Sequence, residues 1–277
     1  MSDAKIAFVT GASRGIGRAA CIALAERGYD VVVTARTIEE GKAADGRPLP
    51  GSIETTAREV EERGVRALPI RLDLLESESI DLAVEQALRE WGQIDLLLNN
   101  GIYTGPASMD LFMDLEPTSM QELFQANLFA QIQVTQRVLP GMLERGTGTL
   151  INMVSGSGLT DPPAPAGKGG WGFIYGASKA AFHRMVGVLA VEHAGSGVNF
   201  VNVEPGFVMT EAMLLNDADG AIGGHFQPAP PSVPAAVIAW LADEAAAEWN
   251  GDTVFAQKVA LKRALHPDWR RPRSETN

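Results

Sequence analysis

The stretch IAFVTGASRGIG, residues 6–17, decides the fold of this 277-residue chain. An apolar run leads into a turn with three glycines, and an alanine-rich segment with helical spacing follows. This order predicts a strand, a tight turn and a helix. Glycines let the backbone approach a pyrophosphate closely, and the free amides at a helix N-terminus favour an anion. Taken alone, the loop could also be rich in glycine only for turning.

A second apolar run at 31–33 follows at the interval that a βαβ unit requires. The alternation of apolar runs and amphipathic segments then continues along the chain. Strands are predicted at 5–9, 31–34, 67–72, 95–98, 149–154, 199–203 and 253–255, and helices at 14–27, 52–63, 78–91, 118–144, 175–193 and 234–241. This alternation is typical of an α/β fold, a doubly wound parallel sheet covered by helices on both faces. Because no linker or repeat divides residues 1–277, we predict a single domain.

The helix predicted at 118–144 contains an asparagine near its middle, Asn127. Thr118 and Gln121 have the spacing of a capping box at the start of this helix. An asparagine in such a helix is often exposed. Only a break in the helix would turn the Asn127 side chain or carbonyl inward.

Tyr175 and Lys179 lie four residues apart, which places a phenol and an ammonium on one face of a helix. Free tyrosine titrates near pH 10, and moving its pKa to roughly 7 requires about 4 kcal/mol of preference for the phenolate. One cation at about 5 Å supplies about 3 kcal/mol at an effective dielectric constant of about 20. The pair therefore predicts an acid/base pair, although the same spacing also occurs by chance on surface helices.

Two basic residues bear on the choice of dinucleotide. Arg14 lies in the glycine loop, where the helix dipole disfavours a cation unless an anion meets it. Arg36 follows the second strand, at a point where an NAD site usually has a carboxylate for the ribose hydroxyls. The pair therefore favours NADP(H), with its 2′-phosphate, over NAD(H). Two solvated surface arginines are the alternative.

These residues belong to a larger set with characteristic spacing. The set comprises Thr-Gly-x-x-x-Gly-x-Gly at 10–17, Asp73, Asn99-Asn100-Gly101, Asn127, Ser155, Tyr175-x-x-x-Lys179 and the turn 205–210. In combination it resembles the short-chain dehydrogenase/reductases from about Lys5 to Thr210. The resemblance implies one Rossmann-type domain, a nicotinamide cofactor and hydride transfer between an alcohol and a carbonyl.

The resemblance also implies roles for the four candidate catalytic residues. Tyr175 would be the general acid/base, and Lys179 would lower its pKa and hold the nicotinamide ribose. Ser155 would donate a hydrogen bond to the substrate oxygen, and Asn127 would anchor a water that passes protons to Lys179. A hydroxyl donor and a phenol with a transferable proton are also what a developing alkoxide needs on chemical grounds.

A wider set of residues would bind the cofactor in this family. Asp73 and Asn100 would frame the adenosine, and the turn 205–210 would orient the carboxamide. The expected cofactor-binding residues are Gly11, Ser13, Arg14, Gly15, Ile16, Gly17, Arg36, Asp73, Asn100, Gly101, Tyr175, Lys179, Pro205, Gly206, Val208 and Thr210. The family's usual Asn-Asn-Ala-Gly is Asn-Asn-Gly-Ile at 99–102, which leaves the alignment uncertain by one residue.

Two irregular segments are expected to shape the substrate pocket. Residues 161–173 contain three prolines and four glycines, so we predict a loop, and the lid would span 156–174. A second lid is expected at 207–232. Gly156, Trp171, Phe173 and Met213 are the candidate pocket residues, and they favour an apolar alcohol or carbonyl substrate. The first segment could instead be an inert loop or a subunit contact, and the apolar residues of the second could pack on the core. Residues 37–50 either fold beside the adenosine phosphate or extend into solvent.

Composition excludes several kinds of partner. The formal net charge of −11 argues against nucleic-acid binding and against anionic membranes.

The single cysteine, Cys21, has the spacing of a core residue, and we expect a cytoplasmic protein without a leader segment. The four histidines show no metal-ligand spacing, so no metal is expected. A homo-oligomer, dimer or tetramer, is implied by the resemblance only.

The sequence therefore predicts an NADP(H)-dependent oxidoreductase that interconverts a secondary alcohol and a ketone. A noncatalytic NADP-binding regulatory protein would keep the glycine loop and lose Ser155, Tyr175 or Lys179, and all three are present. A 3-oxoacyl-carrier-protein ketoreductase remains an alternative within the family. Such an enzyme would need several basic residues at the entrance for its acidic carrier, whereas Lys168 is the only basic residue at 156–173.

Overall fold

A computed structural model describes residues 4–42, 48–216 and 228–269. The strands in these ranges are β1 (Ile6–Thr10), β2 (Asp30–Ala35), β3 (Gly41–Lys42), β4 (Pro48–Leu49), β5 (Ala67–Arg71), β6 (Leu96–Asn99), β7 (Gly148–Met153), β8 (Val198–Glu204) and β9 (Thr253–Phe255). Seven of them form one sheet in the order β5-β2-β1-β6-β7-β8-β9. Every neighbouring pair in this sheet is parallel.

Both faces of the sheet are buried, which explains the continuous apolar run at its centre. Ala7 and Val9 of β1 belong to one core, and Ile6 and Phe8 belong to the other. Successive strand residues point to opposite faces, so a strand between two helical layers is apolar at every position. The predicted single-domain, doubly wound Rossmann-type fold is confirmed.

The helices are distributed over the two faces. They are α1 (Gly15–Ala25), α2 (Ile53–Glu61), α3 (Ser77–Trp91), α4 (Pro117–Phe124), α5 (Ala130–Arg145), α6 (Phe173–Glu192), α7 (Glu211–Asn216), α8 (Ser232–Trp240) and α9 (Ala256–Arg263). Helices α1, α2, α8 and α9 pack on the Ala7 side, and α3, α5 and α6 pack on the Phe8 side. Cys21 of α1 is fully buried, as its spacing predicted. In the described ranges no helix is long and apolar enough to cross a membrane.

The long helix predicted at 118–144 is interrupted. A π turn at Gln125–Phe129 separates α4 from α5, and Asn127 lies within it. The predicted capping box is wrong, because α4 begins at Pro117 and Glu116 caps it without a side-chain hydrogen bond. Proline suits the first helical position, where its missing N–H has no partner to lose. The π turn provides the break that would turn Asn127 inward.

The segment after β2 folds against the glycine loop. Strands β3 and β4 pair as a short antiparallel hairpin, whose tip at 43–47 lies outside the described residues. Gly51 has a φ of +97°, and a Cβ there would lie 2.3 Å from the Ser13 carbonyl oxygen. Glu40 accepts hydrogen bonds from the Gly51 amide and the Thr55 hydroxyl, both at 2.7 Å. The described part of 37–50 is therefore ordered beside the loop.

Candidate active site

The candidate site residues meet at the carboxyl ends of four adjacent strands. The glycine loop follows β1, Asn100 follows β6, Ser155 lies just after β7, and Pro205 follows β8. In this sheet the strand order reverses between β1 and β6. Ligands of open α/β sheets bind outside the carboxyl ends of the strands at such a reversal. The topology therefore brings together residues that are far apart in the sequence.

The glycine loop is packed closely against the turn that follows β6. A Cβ on Gly17 would lie 2.2 Å from the Gly11 carbonyl oxygen and 2.5 Å from Asn100 Nδ2. Asn100 Nδ2 donates hydrogen bonds to the carbonyl oxygens of Thr10 and Gly11, at 3.0 and 3.2 Å. The Thr10 hydroxyl accepts the amides of Asn100 and Gly101, at 3.0 and 2.8 Å. The Asn100 side chain thus fixes the conformation of the loop.

Arg14 is anchored to the backbone of the neighbouring segment. Its Nε donates to the Pro50 carbonyl at 3.1 Å, and one terminal nitrogen donates to the Gly51 carbonyl at 2.8 Å. Burial lowers the pKa of Arg14, and the positive charge of Arg36 lowers it further. Arg36 lies just beyond β2 and is exposed. The two cations are thus close enough to interact, at the end of β2 where the sequence predicted the 2′-phosphate.

The N-terminus of α1 holds an anion of the chain itself. Glu211 Oε2 accepts a hydrogen bond from the Gly15 amide at 2.9 Å, and Arg18 lies 4.0 Å from the other carboxylate oxygen. Helix dipoles and free amides attract negative charge at this position. A carboxylate bound here shows that the loop suits an anion, so the residues present fit the diphosphate of a dinucleotide.

Asp73 follows β5, as the family pattern requires. Its side chain accepts the Leu75 amide at 3.1 Å and lies 3.7 Å from Arg71. These contacts order the turn at this end of the sheet. Contact of Asp73 with an adenosine stays a prediction.

Ser155 and Tyr175 are neighbours at the centre of the site. Ser155 caps a 3-10 turn at Gly156–Gly158, and the Ser157 hydroxyl donates to Ser155 Oγ at 2.9 Å. Both serine side chains lie beside the phenol of Tyr175. Burial raises the pKa of Tyr175 above its ordinary value, and the negative charge of Glu204 raises it further. The two serines lower this pKa.

Lys179 lies one turn further along α6 and is buried. Its Nζ donates to the Met153 carbonyl oxygen at 3.0 Å, and burial lowers the pKa of Lys179 to about 8. An ammonium has three donors, so two remain to bind other groups in the site. The groups that lower the pKa of Tyr175 in this structure are Ser155 and Ser157. The expected effect of Lys179 on the phenol stays a prediction.

Asn127 uses its side chain to hold a neighbouring loop. Its Oδ1 accepts the Tyr103 amide and its Nδ2 donates to the Tyr103 carbonyl, both at 2.9 Å. The amide is buried and engaged at both ends. The side chain is thus occupied, and a relay water held by Asn127 stays a prediction. Sequence reasoning missed Tyr103, which carries no motif of its own.

Trp171 and Phe173, two of the four candidate pocket residues, lie at the start of α6. The Trp171 indole packs against Gly176, and Phe173 meets Phe112 edge to face with ring centroids 5.2 Å apart. Residues 159–172 are largely irregular, as their composition predicted. Met213 is half-buried on α7, whereas 217–227 of the second expected lid lie outside the described residues. Phe112, which is 65% exposed, has no sequence signal that would have selected it.

Comparison with known proteins identifies the family. The family described as short chain dehydrogenase matches residues 5–219, and the chain therefore belongs to it. The chain is accordingly an oxidoreductase of the kind that acts on CH–OH donors with a nicotinamide cofactor as acceptor.

Two relatives and one solved structure illustrate the range of the family. The 3-oxoacyl-(acyl-carrier-protein) reductase FabG of Staphylococcus epidermidis is 28% identical over 207 residues, which cover 75% of this chain and 76% of that protein. Cyclohexanol dehydrogenase of Rhodococcus sp. strain TK6 is 32% identical over 227 residues, covering 77% and 82%. The crystal structure of L-sorbose reductase from Gluconobacter frateurii, complexed with NADPH and L-sorbose, superposes with a TM-score of 0.74 at 26% identity, covering 91% and 94%.

In the part of the chain that the structure describes, no group of three or more His, Cys, Asp or Glu side chains is placed to hold a metal ion. The expectation that no metal takes part stays a prediction.

Proposed function

We propose that the protein is an NADP(H)-dependent oxidoreductase that interconverts a secondary alcohol and a ketone, with Tyr175 as its general acid/base. One observation carries this proposal. Ser155 and Ser157 lie beside the Tyr175 phenol and lower its pKa, and the buried ammonium of Lys179 lies one turn away on the same helix. A phenol, a hydroxyl donor and an ammonium are the groups needed to move a proton to and from a carbonyl oxygen.

Four residues of the chain would bind the substrate oxygen and transfer its proton. The nicotinamide, when bound, supplies or accepts the hydride. In reduction, Ser155 donates a hydrogen bond to the substrate oxygen, and Tyr175 gives that oxygen a proton. Lys179 stabilises the resulting phenolate, and the Asn127 carbonyl holds a water for reprotonation. In oxidation, the Tyr175 phenolate removes the alcohol proton, so this direction is favoured at high pH.

Preference for NADP(H) rests on the charges at the end of β2. Arg36 is exposed, and no ion-pair partner lies near it in the described residues, while Arg14 is close enough to interact with it. A phosphate dianion would satisfy both charges. The L-sorbose reductase with a similar structure was solved with NADPH. Bound dinucleotide must displace Glu211 from the Gly15 amide, or share that end of α1 with it.

A carrier-linked ketoacyl substrate is the second candidate, favoured by the similarity to FabG. The surroundings of the site oppose it. The chain has no lysine or arginine between Arg89 and Arg137, and Asp110, Asp114 and Glu116 lie in that interval. The Gly172 amide donates to the Ser108 carbonyl at 3.2 Å, so this acidic segment borders the start of α6. An acidic carrier would be repelled here.

The test is a screen of ketones and secondary alcohols that follows NADPH absorbance, with NADH in parallel. The panel contains cyclohexanone, an aryl ketone, a ketose and an acetoacetyl thioester. We expect turnover of an uncharged ketone with NADPH, and Tyr175→Phe should bind NADPH and lose turnover. Preference for the thioester would favour the second candidate, and a Tyr175→Phe variant with a tenth of the activity would refute the role of Tyr175.

Self-association is proposed as well. Helix α6 leaves Val188 and Val191 exposed, by 43% and 79%, and the family resemblance implies a dimer or tetramer. Exposed apolar residues on one long helix suit a contact between copies. Light scattering coupled to size exclusion measures the mass, and a monomer at micromolar concentration would contradict this part of the proposal.

A further inference from the structure

Glu204, which no motif singled out, lies at the end of β8 between two turns of the active site. Its Oε1 accepts the Gly206 amide at 3.0 Å and the Gly156 amide at 3.3 Å. Gly156 directly follows Ser155, and Gly206 belongs to the turn 205–210. A single carboxylate oxygen therefore joins the turn that carries Ser155 to the turn expected to orient the nicotinamide.

We propose that Glu204 is a positioning residue for the reaction: its carboxylate holds the Ser155 turn against the turn 205–210 and places a negative charge beside the Tyr175 phenol. This inference rests on the proposed function, which assigns Ser155 and Tyr175 their roles.

The position of Glu204 explains why such a link is needed. The ladder between β7 and β8 continues to the Val154 amide, which donates to the Val203 carbonyl at 2.9 Å. Beyond this bond the backbone ladder ends, and the side chain of Glu204 makes the next hydrogen bonds between the two segments. An ionised acceptor makes stronger hydrogen bonds to amides than a neutral one does. The distance between the two turns is thus set by one side chain.

The charge of Glu204 also acts on the phenol. The groups that act on the Tyr175 phenol are Ser155 and Ser157 after β7 and Glu204 on β8, and Lys179 lies one turn away on α6. Burial and the charge of Glu204 both raise the pKa of Tyr175, while the two serines lower it. A phenol kept in its acid form at neutral pH is ready to donate its proton, as ketone reduction requires. Glu204 therefore favours reduction at neutral pH and moves oxidation to higher pH.

Two substitutions separate the two effects. Glu204→Gln keeps an oxygen that can accept both amides and removes the charge, whereas Glu204→Ala removes both. The matched control is Glu192→Gln, which removes the same charge from the far end of α6. Glu192 lies 17 residues from Tyr175, roughly 25 Å along the helix and well beyond the Debye length.

Absorbance titration of the phenols gives a readout that does not depend on turnover. The chain has three tyrosines, so subtracting the curve of Tyr175→Phe isolates Tyr175. We expect Glu204→Gln to lower the titration midpoint of Tyr175 by roughly one pH unit, and Glu192→Gln to leave it unchanged. The rising limb of alcohol oxidation against pH should move by the same amount. The role of the charge is overturned if the titration midpoint of Tyr175 is the same in wild type and Glu204→Gln. It is also overturned if both midpoints are too high to be measured.

Binding of NADPH tests the positioning role. We expect the Kd of Glu204→Gln to remain within twofold of wild type and that of Glu204→Ala to rise about tenfold, with folding checked by circular dichroism. An unchanged Kd in folded Glu204→Ala overturns the link between the turns. Glu204→Ala could fail to fold, and the test then uses Glu204→Gln, which still has the acceptor oxygen. A roughly tenfold rise in the Kd of Glu204→Gln for NADPH would overturn the link between the turns. Failure of the wild type to reduce any carbonyl would refute the proposed function, and the phenol titration would still decide the effect of the charge.

Discussion

The Glu211 carboxylate accepts the Gly15 amide at 2.9 Å, across a sequence separation of 196 residues. Gly15 opens helix α1, where the cofactor's diphosphate is expected. The methyl of Thr210 would also lie 3.2 Å from a Cβ at Gly15, so the start of α7 is packed directly on the glycine loop. The carboxylate and a bound diphosphate would therefore compete for the same amide and the same end of the helix dipole.

Glu211→Gln should bind NADPH more tightly than wild type. The substitution removes a negative charge from the site of another anion, and charges at a helix N-terminus are worth about 0.3–1 kcal/mol, so we expect Kd to fall about two- to fivefold. Fluorescence titration with NADPH measures this, with Glu192→Gln as the control for net charge. Unchanged or weaker binding would show that the carboxylate does not compete.

Arg36→Asp should reverse the preference between the two dinucleotides. The change removes an exposed cation from the expected 2′-phosphate site and supplies a carboxylate for ribose hydroxyls. We expect the KM for NADPH to rise about tenfold or more and that for NADH to fall. Arg89→Asp, on α3 and 4.0 Å from Glu85, is the control. Unaltered NADPH kinetics in Arg36→Asp would mean that another residue binds the phosphate.

Lys179 should make the stability of the protein depend on pH in the alkaline range. Burial lowers its pKa from 10.5 to about 8, so between these values the unfolded chain binds more protons than the folded chain. Stability therefore rises with pH across this window, by up to about 3 kcal/mol in total, and is flat below it.

Urea unfolding of wild type and Lys179→Met at several pH values measures this effect. We expect the difference in free energy of unfolding, wild type minus variant, to become more positive from pH 7 to 10.5. The same variant should lose turnover, because it removes the ammonium from beside Tyr175. A difference that is constant with pH would show that the ammonium is solvated.

Gly17→Ala should lose both stability and cofactor binding. Its Cβ would collide with the Gly11 carbonyl and with Asn100 Nδ2, two groups that shape the loop. We expect a loss of about 1–3 kcal/mol and much weaker NADPH binding. Gly187→Ala is the control, because nothing lies within 4 Å of a Cβ at that helical position, and it should gain about 0.5–1 kcal/mol. Thermal unfolding and NADPH titration compare the two variants, and equal effects would contradict the close packing of Gly17.

Local patterns predicted the parts of this protein that depend on neighbours in the chain. The apolar run before the glycine loop predicted β1, because a strand between two helical layers is buried on both faces. The spacing of Tyr175 and Lys179 predicted a shared helix face, since four residues make about one turn. The capping box at Thr118 was wrong, because Pro117 and the residue before it begin the helix instead.

Such local patterns did not predict the contacts between segments that are distant in the sequence. Phe112 meets Phe173, and Asn127 holds Tyr103, yet neither pair has a spacing that marks it in the sequence.

The sequence by itself determined the α/β fold and the family, because helix and strand periods are local, and it predicted Tyr175 and Lys179 as the acid/base pair. Only the tertiary structure decided that Glu204 joins two turns and that Glu211 lies on the Gly15 amide. Parallel strands end side by side after long crossovers, so the distances between their loops depend on how the whole sheet packs.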